Sequence, residues 1–521
     1  MSKNLLTPIL EASRMHPERI AMILPDDTHQ ERSWTYQTMA HDIGRYQLAL
    51  QQAGGQVGDR VLILSRVRYD LYVLTLALLG LGMVAILLDR GMSRSRILAA
   101  ISSSGARFAI GEKSLLRSWW FIPPLWRMNR LAFDGPSWGV GGLLLPERAT
   151  AQAKLLPHQA HGLITFTSGS TGRPKGADRT HTSLLAQHQA MRQHWQDQDN
   201  DVDCTCFPVM MLHNLCCGLP TVLPAIDLTH PADFDAARLI EQLQRCGVTR
   251  LSGAPGFMTR LCHYALKQGL RLDKIRQVAV GGSTVSTQLA KWLLQLFTHA
   301  DIIAVYGSTE AEPIAILHGR ELMEEGDSGE GYLVGHAANM AEIAIWPLHQ
   351  TYQVDEHSYQ HYGLSGQIGE VLVSGAHVLQ RYVDNPQATQ ENKLPRPDGS
   401  VWHRTGDVGY LDHLGRLWLV GRLRDSVEHA GRILWPYPIE KRLDNLPGMV
   451  RSALILHKGR PLLVLQGTTP DQQVLEQLKL MGLEKIGISP IESMPLDGRH
   501  QSKIDRPALR AMSLDTRREP A

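Results

Sequence analysis

The first half of the chain alternates between two hydrophobic rhythms. Short apolar runs such as Arg60-Val61-Leu62-Ile63-Leu64 have the length and branching of buried strands. Ser33-Trp34-Thr35-Tyr36 precedes a stretch with helical spacing. Val278-Ala279-Val280 runs into the turn residues Gly281-Gly282-Ser283, and Asp301-Ile302-Ile303-Ala304-Val305-Tyr306 is a further strand. Strands and helices in alternation predict doubly wound α/β layers, whose ligands gather at the carboxyl ends of strands. Beyond Gly369 the rhythm changes. Glu370-Val371-Leu372-Val373-Ser374-Gly375 and Gly415-Arg416-Leu417-Trp418-Leu419-Val420 read as short β segments bounded by turns. From about Asp425 a tail of roughly one hundred residues has the size of a small domain.

Two segments depart from this pattern. Residues 71–88, LYVLTLALLGLGMVAILL, are almost wholly apolar and long enough to raise a membrane helix. Asp70 and Asp89 bound the run, and Gly80 and Gly82 interrupt it. The expectation is a buried helix up to Leu79, a glycine turn and a strand over 83–88, with the membrane span as the alternative. Residues 118–126, SWWFIPPLW, are aromatic, with Arg117, Arg127 and Arg130 nearby. Such a segment suits a lipid surface or internal packing.

Composition narrows the class. A chain of 521 residues is too long for one small core, so two or more domains are expected. A net charge of +2 gives no electrostatic case for nucleic acid. The 23 histidines scatter without metal-ligand spacing. All six cysteines fall between Cys204 and Cys262, none in a C-x-x-C pair, and no secretion signal accompanies them. Buried free thiols and a cytoplasmic location are expected.

The densest chemistry lies at 165–176, TFTSGSTGRPKG. Glycines let backbone N–H groups approach an anion, hydroxyls add rotatable donors, and Lys175 adds a point charge suited to phosphate. The loop reads as a polyphosphate holder, without Walker A spacing.

This string resembles the phosphate loop of the adenylate-forming superfamily, which includes acyl-CoA synthetases, peptide-synthetase adenylation domains and luciferases. Tyr306-Gly307-Ser308-Thr309-Glu310 resembles its second nucleotide motif, and Arg404-Thr405-Gly406-Asp407 its third. Gly421-Arg422-Leu423-Arg424-Asp425 resembles its hinge, and Lys503 its C-terminal catalytic lysine. The motifs stand in the family's order and cover most of the chain.

The resemblance implies an α/β enzyme. A large N-terminal domain over 1–421 would combine doubly wound α/β subdomains with a β-rich one. A small mobile α+β domain over 422–521 would follow a hinge at Asp425. ATP and Mg2+ are the implied cofactors. Thr167, Ser168, Gly169, Ser170, Thr171, Gly172 and Lys175 would hold the β- and γ-phosphates. Thr309 would contact the α-phosphate and Glu310 would bind the metal. Gly281, Gly282, Ser283 and Tyr306 would flank the adenine, with Gly307 and Ser308 in the same motif. Asp407 would bind the ribose, assisted by Arg422. Lys503 would neutralise charge as the α-phosphate is attacked.

The acid and its acceptor are less sharply marked. His213 lies in an H-x-x-G-like element resembling that of fatty and aryl acid activators, and is taken as catalytic. Met210, Met211, Leu212 and Leu215 beside it suit an acyl chain or plain core. Stretches around Leu88-Asp89-Arg90-Gly91, Phe207-Pro208 and Val305–Pro313 resemble olefin-biosynthesis β-lactone synthetases, which close a β-hydroxy acid onto its own carboxyl. CoA-forming relatives usually carry a lysine where this chain has Glu428. The partners expected are a small carboxylic acid, with CoA or a carrier protein as alternative acceptors and no nucleic acid. A lipid contact and an acyl-adenylate-binding pseudoenzyme are the remaining alternatives.

Overall fold

Parallel strands with helical crossovers build two large sheets, as the alternating rhythm predicts. The structure is a computed structural model describing residues 4–25, 30–88, 92–167, 175–227, 230, 233–348, 366–497 and 502–514, with only the backbone of Thr167. One sheet of the described residues has seven strands. Arg60–Leu64 lies at its middle between Phe108–Gly111 and Val84–Leu87, all parallel. His161–Thr167 continues it, and Lys175–Thr180 turns back antiparallel at the edge. A hairpin therefore flanks the loop singled out for phosphate.

The second sheet has Glu31–Thr35 at its edge, antiparallel to Ile20–Pro25, and runs from there through parallel strands to Gln277–Gly281 and Asp301–Ser308. There the direction rule changes. Ala311–His318 returns antiparallel to Asp301–Ser308. The antiparallel strands Tyr332–Ala337, Leu417–Arg422, Val401–Leu411 and Gly369–Ser374 carry the sheet onward. The antiparallel part thus starts at Ala311, ahead of the change of pattern expected from Gly369. The chain's last strands form a separate three-stranded sheet, Met449–His457, Arg460–Gly467 and Gly487–Pro490. It has its own core, including Leu443, Leu454, Leu463 and Leu478.

The apolar run at 71–88 is core. The helix Tyr69–Leu81 is buried from Val73 to its end, and Val84–Leu87 is a strand. Each fully buried leucine there contributes roughly 1.5–3 kcal/mol relative to exposure. Among the described residues no helix is long and apolar enough to cross a membrane. The helix continues past the expected stop at Leu79, because Gly80 serves packing rather than turning. A Cβ at Gly80 would stand 2.3 Å from Gln47 Nε2 and 2.5 Å from Leu6 Cδ2. Gly82, at φ +71°, is the residue that ends the helix.

The aromatic segment is divided. Leu116 and Leu125 are buried, and Trp119 stacks on Trp138 with the Arg130 guanidinium 4.1 Å from its ring. Trp120, Phe121 and Trp126 are exposed. Packing therefore accounts for one side of the segment only.

Candidate active site

Strand ends and turns from the whole length of the chain meet at one cavity of about 2990 Å³. Its ribose-like corner is the most highly constrained. Asp407 and Arg422 are register partners on neighbouring antiparallel strands, so their side chains emerge together. Arg422 Nε lies 2.8 Å from Asp407 Oδ1. Tyr306, near the end of Asp301–Ser308, donates its hydroxyl to Asp407 Oδ2 at 2.7 Å. Burial and then the Asp407 carboxylate push the Tyr306 hydroxyl pKa well up, so it remains a donor. The same carboxylate raises the pKa of Arg422. Each Asp407 oxygen has two acceptor directions, so the fixed carboxylate retains capacity for a diol.

Thr309 and Glu310 form the tight turn between Asp301–Ser308 and Ala311–His318. The Thr309 carbonyl accepts from Arg179 Nη2 at 3.0 Å. Glu310 Oε1 accepts the Tyr382 hydroxyl at 2.9 Å. Its second oxygen remains to bind a hard cation, for which a single carboxylate and phosphate oxygens are a usual set. Lys175 Nζ is 5.4 Å from the centre of the Tyr382 ring. Two hydroxyls that line the cavity, Thr165 Oγ1 and Ser308 Oγ, are buried without a hydrogen-bond partner among the described residues. Buried polar atoms are normally paired, so this end fits a polar ligand.

Lys503 reaches the same cavity from the far end of the sequence. Its backbone N–H donates to Asp497 Oδ1 at 2.8 Å. The adjacent Ser502 hydroxyl accepts from the Gly256 N–H at 3.2 Å, which ties the segment to the large sheet's helices. Asp425 also lines the cavity and is buried. It accepts from Arg510 Nη2 at 3.1 Å and lies 3.7 Å from Arg506. Both arginines are on the helix Arg506–Ala511 that follows Lys503. The expected hinge residue and the segment carrying the expected catalytic lysine are thus directly joined.

Some expected site residues lie elsewhere. Ser168, Gly169, Ser170, Thr171 and Gly172 fall outside the described residues, as do Asp89, Arg90 and Gly91. Gly282, Ser283, Tyr306, Gly307 and Ser308 line the cavity, whereas Gly281 closes its strand as a buried residue. His213 is a correction. It sits mid-helix in Pro208–Cys217, is 1% exposed and does not line the cavity. Its Nδ1 is 3.0 Å from His188 Nδ1, and its Nε2 is 3.7 Å from Cys217 Sγ. Burial, aided by His188 and Arg250, pushes its pKa well down and keeps it neutral. Helical phase explains the error: Leu212, with Pro208 and Val209, turns to the cavity, while Met210, Met211 and Leu215 turn inward. Leu184 and Phe207 also line the cavity.

Two features were missed in the sequence pattern. Tyr382 and Lys393 are brought beside Glu310 and Lys175 by strand pairing. His188, His213 and Cys217 place one donor atom each within 4.8 Å of one another, although no linear spacing marked a metal site. The separation of four between His213 and Cys217 on a helix is the signal that finds part of it.

Residues 9–383 match the family described as AMP-binding enzyme. The chain belongs to this family of AMP-forming ligases. An olefin beta-lactone synthetase of Stenotrophomonas maltophilia is 31% identical over 489 residues, covering 87% of this chain and 86% of that protein. The o-succinylbenzoate CoA synthetase of Bacillus subtilis, in complex with its acyl-adenylate intermediate, has a TM-score of 0.79 at 20% identity, covering 98% of this chain and 99% of that one. ATP-bound MatB from Rhodopseudomonas palustris has a TM-score of 0.79 at 23% identity, covering 98% of each chain. The two structures share the fold, a large mixed α/β part and a separate small C-terminal domain with β-structure.

Proposed function

We propose that this enzyme joins a carboxylic acid to AMP at the expense of ATP. A carboxylate oxygen attacks the α-phosphorus, the bond to the bridging oxygen of the β-phosphate breaks, and pyrophosphate leaves. Two anions approach in this step, so positive charge at the reacting phosphate determines the rate. The observation that carries the reading is the convergence of Lys175, Glu310, Asp407 and Lys503 on one cavity from widely separated parts of the chain.

In this reading Asp407, steadied by Tyr306 and Arg422, accepts from the ribose hydroxyls. Thr309 and Lys503 face the α-phosphate, and Lys175 takes the terminal phosphates. Glu310 would hold a magnesium ion, which would supply neutralising charge for the leaving pyrophosphate. Residues 422–521 move about Asp425 after the first step, carrying Lys503 away. The bonds from Asp425 to Arg506 and Arg510 would have to break or travel together in that motion.

The acid is a fatty or β-hydroxy fatty acid, to which Leu184, Phe207, Val209 and Leu212 offer apolar wall. With a β-hydroxy acid, its own hydroxyl oxygen attacks the acyl carbon, AMP departs and a β-lactone closes. The tethered hydroxyl has an entropic advantage over an external nucleophile. The similarity to an olefin beta-lactone synthetase favours this course. So does Glu428, which is exposed and stands where CoA-forming relatives usually carry lysine. The second reading is a thioester formed with CoA or a carrier protein. It is favoured by the shared fold with an o-succinylbenzoate CoA synthetase.

Incubation with ATP, magnesium and matched plain and β-hydroxy fatty acids, with and without CoA, separates the two by product mass. The lactone reading expects the β-hydroxy acid minus one water without any thiol. A product that forms only with thiol, at the mass of the thioester, decides for the second reading. Glu428→Lys then tests the charge argument, which fails if CoA use is unchanged.

A further inference from the structure

Lys393 is a lysine where the fold gives no reason for one. It opens the short strand Lys393–Pro395, paired in register with His403 on Val401–Leu411. The residue is 4% exposed, and its Nζ has no hydrogen-bond partner among the described residues. Burial of an ammonium group without partners costs several kcal/mol, and natural interiors avoid it. Burial lowers its pKa to about 7, with Glu310 opposing the shift. A leucine or methionine would fill the same space without that cost.

Its surroundings supply the reason. The Lys393 Nζ lies 5.8 Å from the centre of the Tyr382 ring, the same ring that Lys175 Nζ approaches at 5.4 Å. The Tyr382 hydroxyl donates to Glu310 Oε1 at 2.9 Å. His403 beside it is buried and held well below its usual pKa by burial and by the charges of Lys393 and Lys175. It is a neutral neighbour and supplies no counter-charge. One tyrosine therefore gathers two ammonium groups and one carboxylate. Glu310, Tyr382 and Lys175 line the cavity; Lys393 does not, although Asn392 and His403 beside it do. Lys393 Nζ meets no acceptor at hydrogen-bond distance among the described residues, a place that a phosphate oxygen would fill.

We propose that Lys393 is a second phosphate-binding cation, which engages the terminal phosphates of the nucleotide and the departing pyrophosphate alongside Lys175. This rests on the adenylation reading above. The four-carbon stem and three donors of lysine allow the ammonium to turn from the tyrosine face to a phosphate oxygen. The residue binds the leaving group and takes no part in bond making at the acid.

The test uses Lys393→Met and the polar neutral Lys393→Gln in the full chain, with Mg-ATP, Mg-pyrophosphate and AMP as probes in calorimetric titrations. Loss of a charge-assisted contact to phosphate predicts about tenfold or more weaker binding of Mg-ATP and Mg-pyrophosphate. AMP lacks those phosphates, so its affinity should be unchanged. The KM for ATP should rise and that for the acid should hold. The ligand-free variants should melt at or above the wild-type temperature, since an unpaired buried charge is gone. Equal weakening of ATP and AMP, or unchanged binding of all three, overturns the proposal. So does a large drop in melting temperature with binding intact, which marks a structural lysine. The two levels of inference fail separately. Wild type with acid-dependent pyrophosphate exchange but variants of unchanged Mg-pyrophosphate affinity sinks Lys393 alone. Wild type that binds neither ATP nor pyrophosphate sinks the adenylation reading, and this proposal with it.

Discussion

The ribose-like corner and the His213 cluster are both built from buried polar groups, and they differ in what completes them. At the corner, Asp407 is gripped by Tyr306 and Arg422 yet retains acceptor capacity at the cavity. In the cluster, His213 faces His188 and Cys217, with Asp197 Oδ1 3.9 Å from its Nε2. Asp197 is in turn taken by Arg250, at 2.6 Å, a residue fully buried among acids. Burial, and after it His188, Arg250 and Arg192, lower the His213 pKa, while Arg250 is itself offset by Asp197, Asp201 and Asp203. Burial keeps His213 neutral within a hydrogen-bonded core. One set of polar groups is arranged toward a ligand, and the other stabilises the fold.

Substitutions should separate the two behaviours. The largest effect is expected at Lys503, the cavity-lining group from the small domain. Lys503→Ala should lower the rate of adenylation by roughly 10²–10³, the usual result of removing a transition-state charge partner. ATP binding should survive, as should conversion of a supplied acyl-AMP. Wild-type adenylation by the variant would remove Lys503 from the chemistry.

Next in size is Asp407→Ala. Losing a charged acceptor for two hydroxyls should raise the KM for ATP by about 10–100-fold, and leaving Arg422 and Tyr306 without their partner should lower the melting temperature as well. His213→Ala should affect stability alone. It leaves His188 without its partner in a buried site, at about 1–3 kcal/mol of stability, and leaves the KM for ATP unchanged. Thermal melts and ATP titrations of both variants settle the matter. A His213 variant that melts normally but loses acid activation would make the contrast drawn here wrong.

A further effect concerns pH. Burial is the largest cause that raises the Asp444 carboxyl pKa to about 7, although Ser452 donates to Oδ1 from its N–H at 2.6 Å and its hydroxyl at 2.7 Å. In the unfolded chain the group titrates near ~3.9. Between the two values the folded state holds a proton that the unfolded state has released. Stability therefore falls as pH rises from ~4 to about 7 and is level above. Asp444→Asn keeps the acceptor oxygen and removes the titration. Its melting temperature relative to wild type should climb across that interval, and a flat difference would reject the shift.

Much of the fold was legible because strands and helices in this chain follow their hydrophobic periods. Arg60–Leu64 and the helix starting at Tyr36 lie where the pattern put them. Gly80 was misread because a glycine chosen for close packing looks the same in sequence as one chosen for a turn. Tyr306, Glu310, Asp407 and Lys503 each belong to a local motif at a strand end or turn, and all four line the cavity. Tyr382 and Lys393 belong to no such motif, and only the pairing of distant strands brings them to Glu310. His213 shows the opposite failure. A motif-like setting on a helix says nothing about phase, and one step of 100° decides whether a side chain meets the cavity or the core.

The central claim is that this chain makes acyl-AMP from ATP and a free acid. Acid-dependent exchange of labelled pyrophosphate into ATP measures that step without reference to the acceptor. The account predicts exchange with at least one fatty or β-hydroxy fatty acid, dependent on magnesium and independent of thiol. Folded protein that binds ATP but exchanges no label across fatty, hydroxy and aryl acids would contradict it.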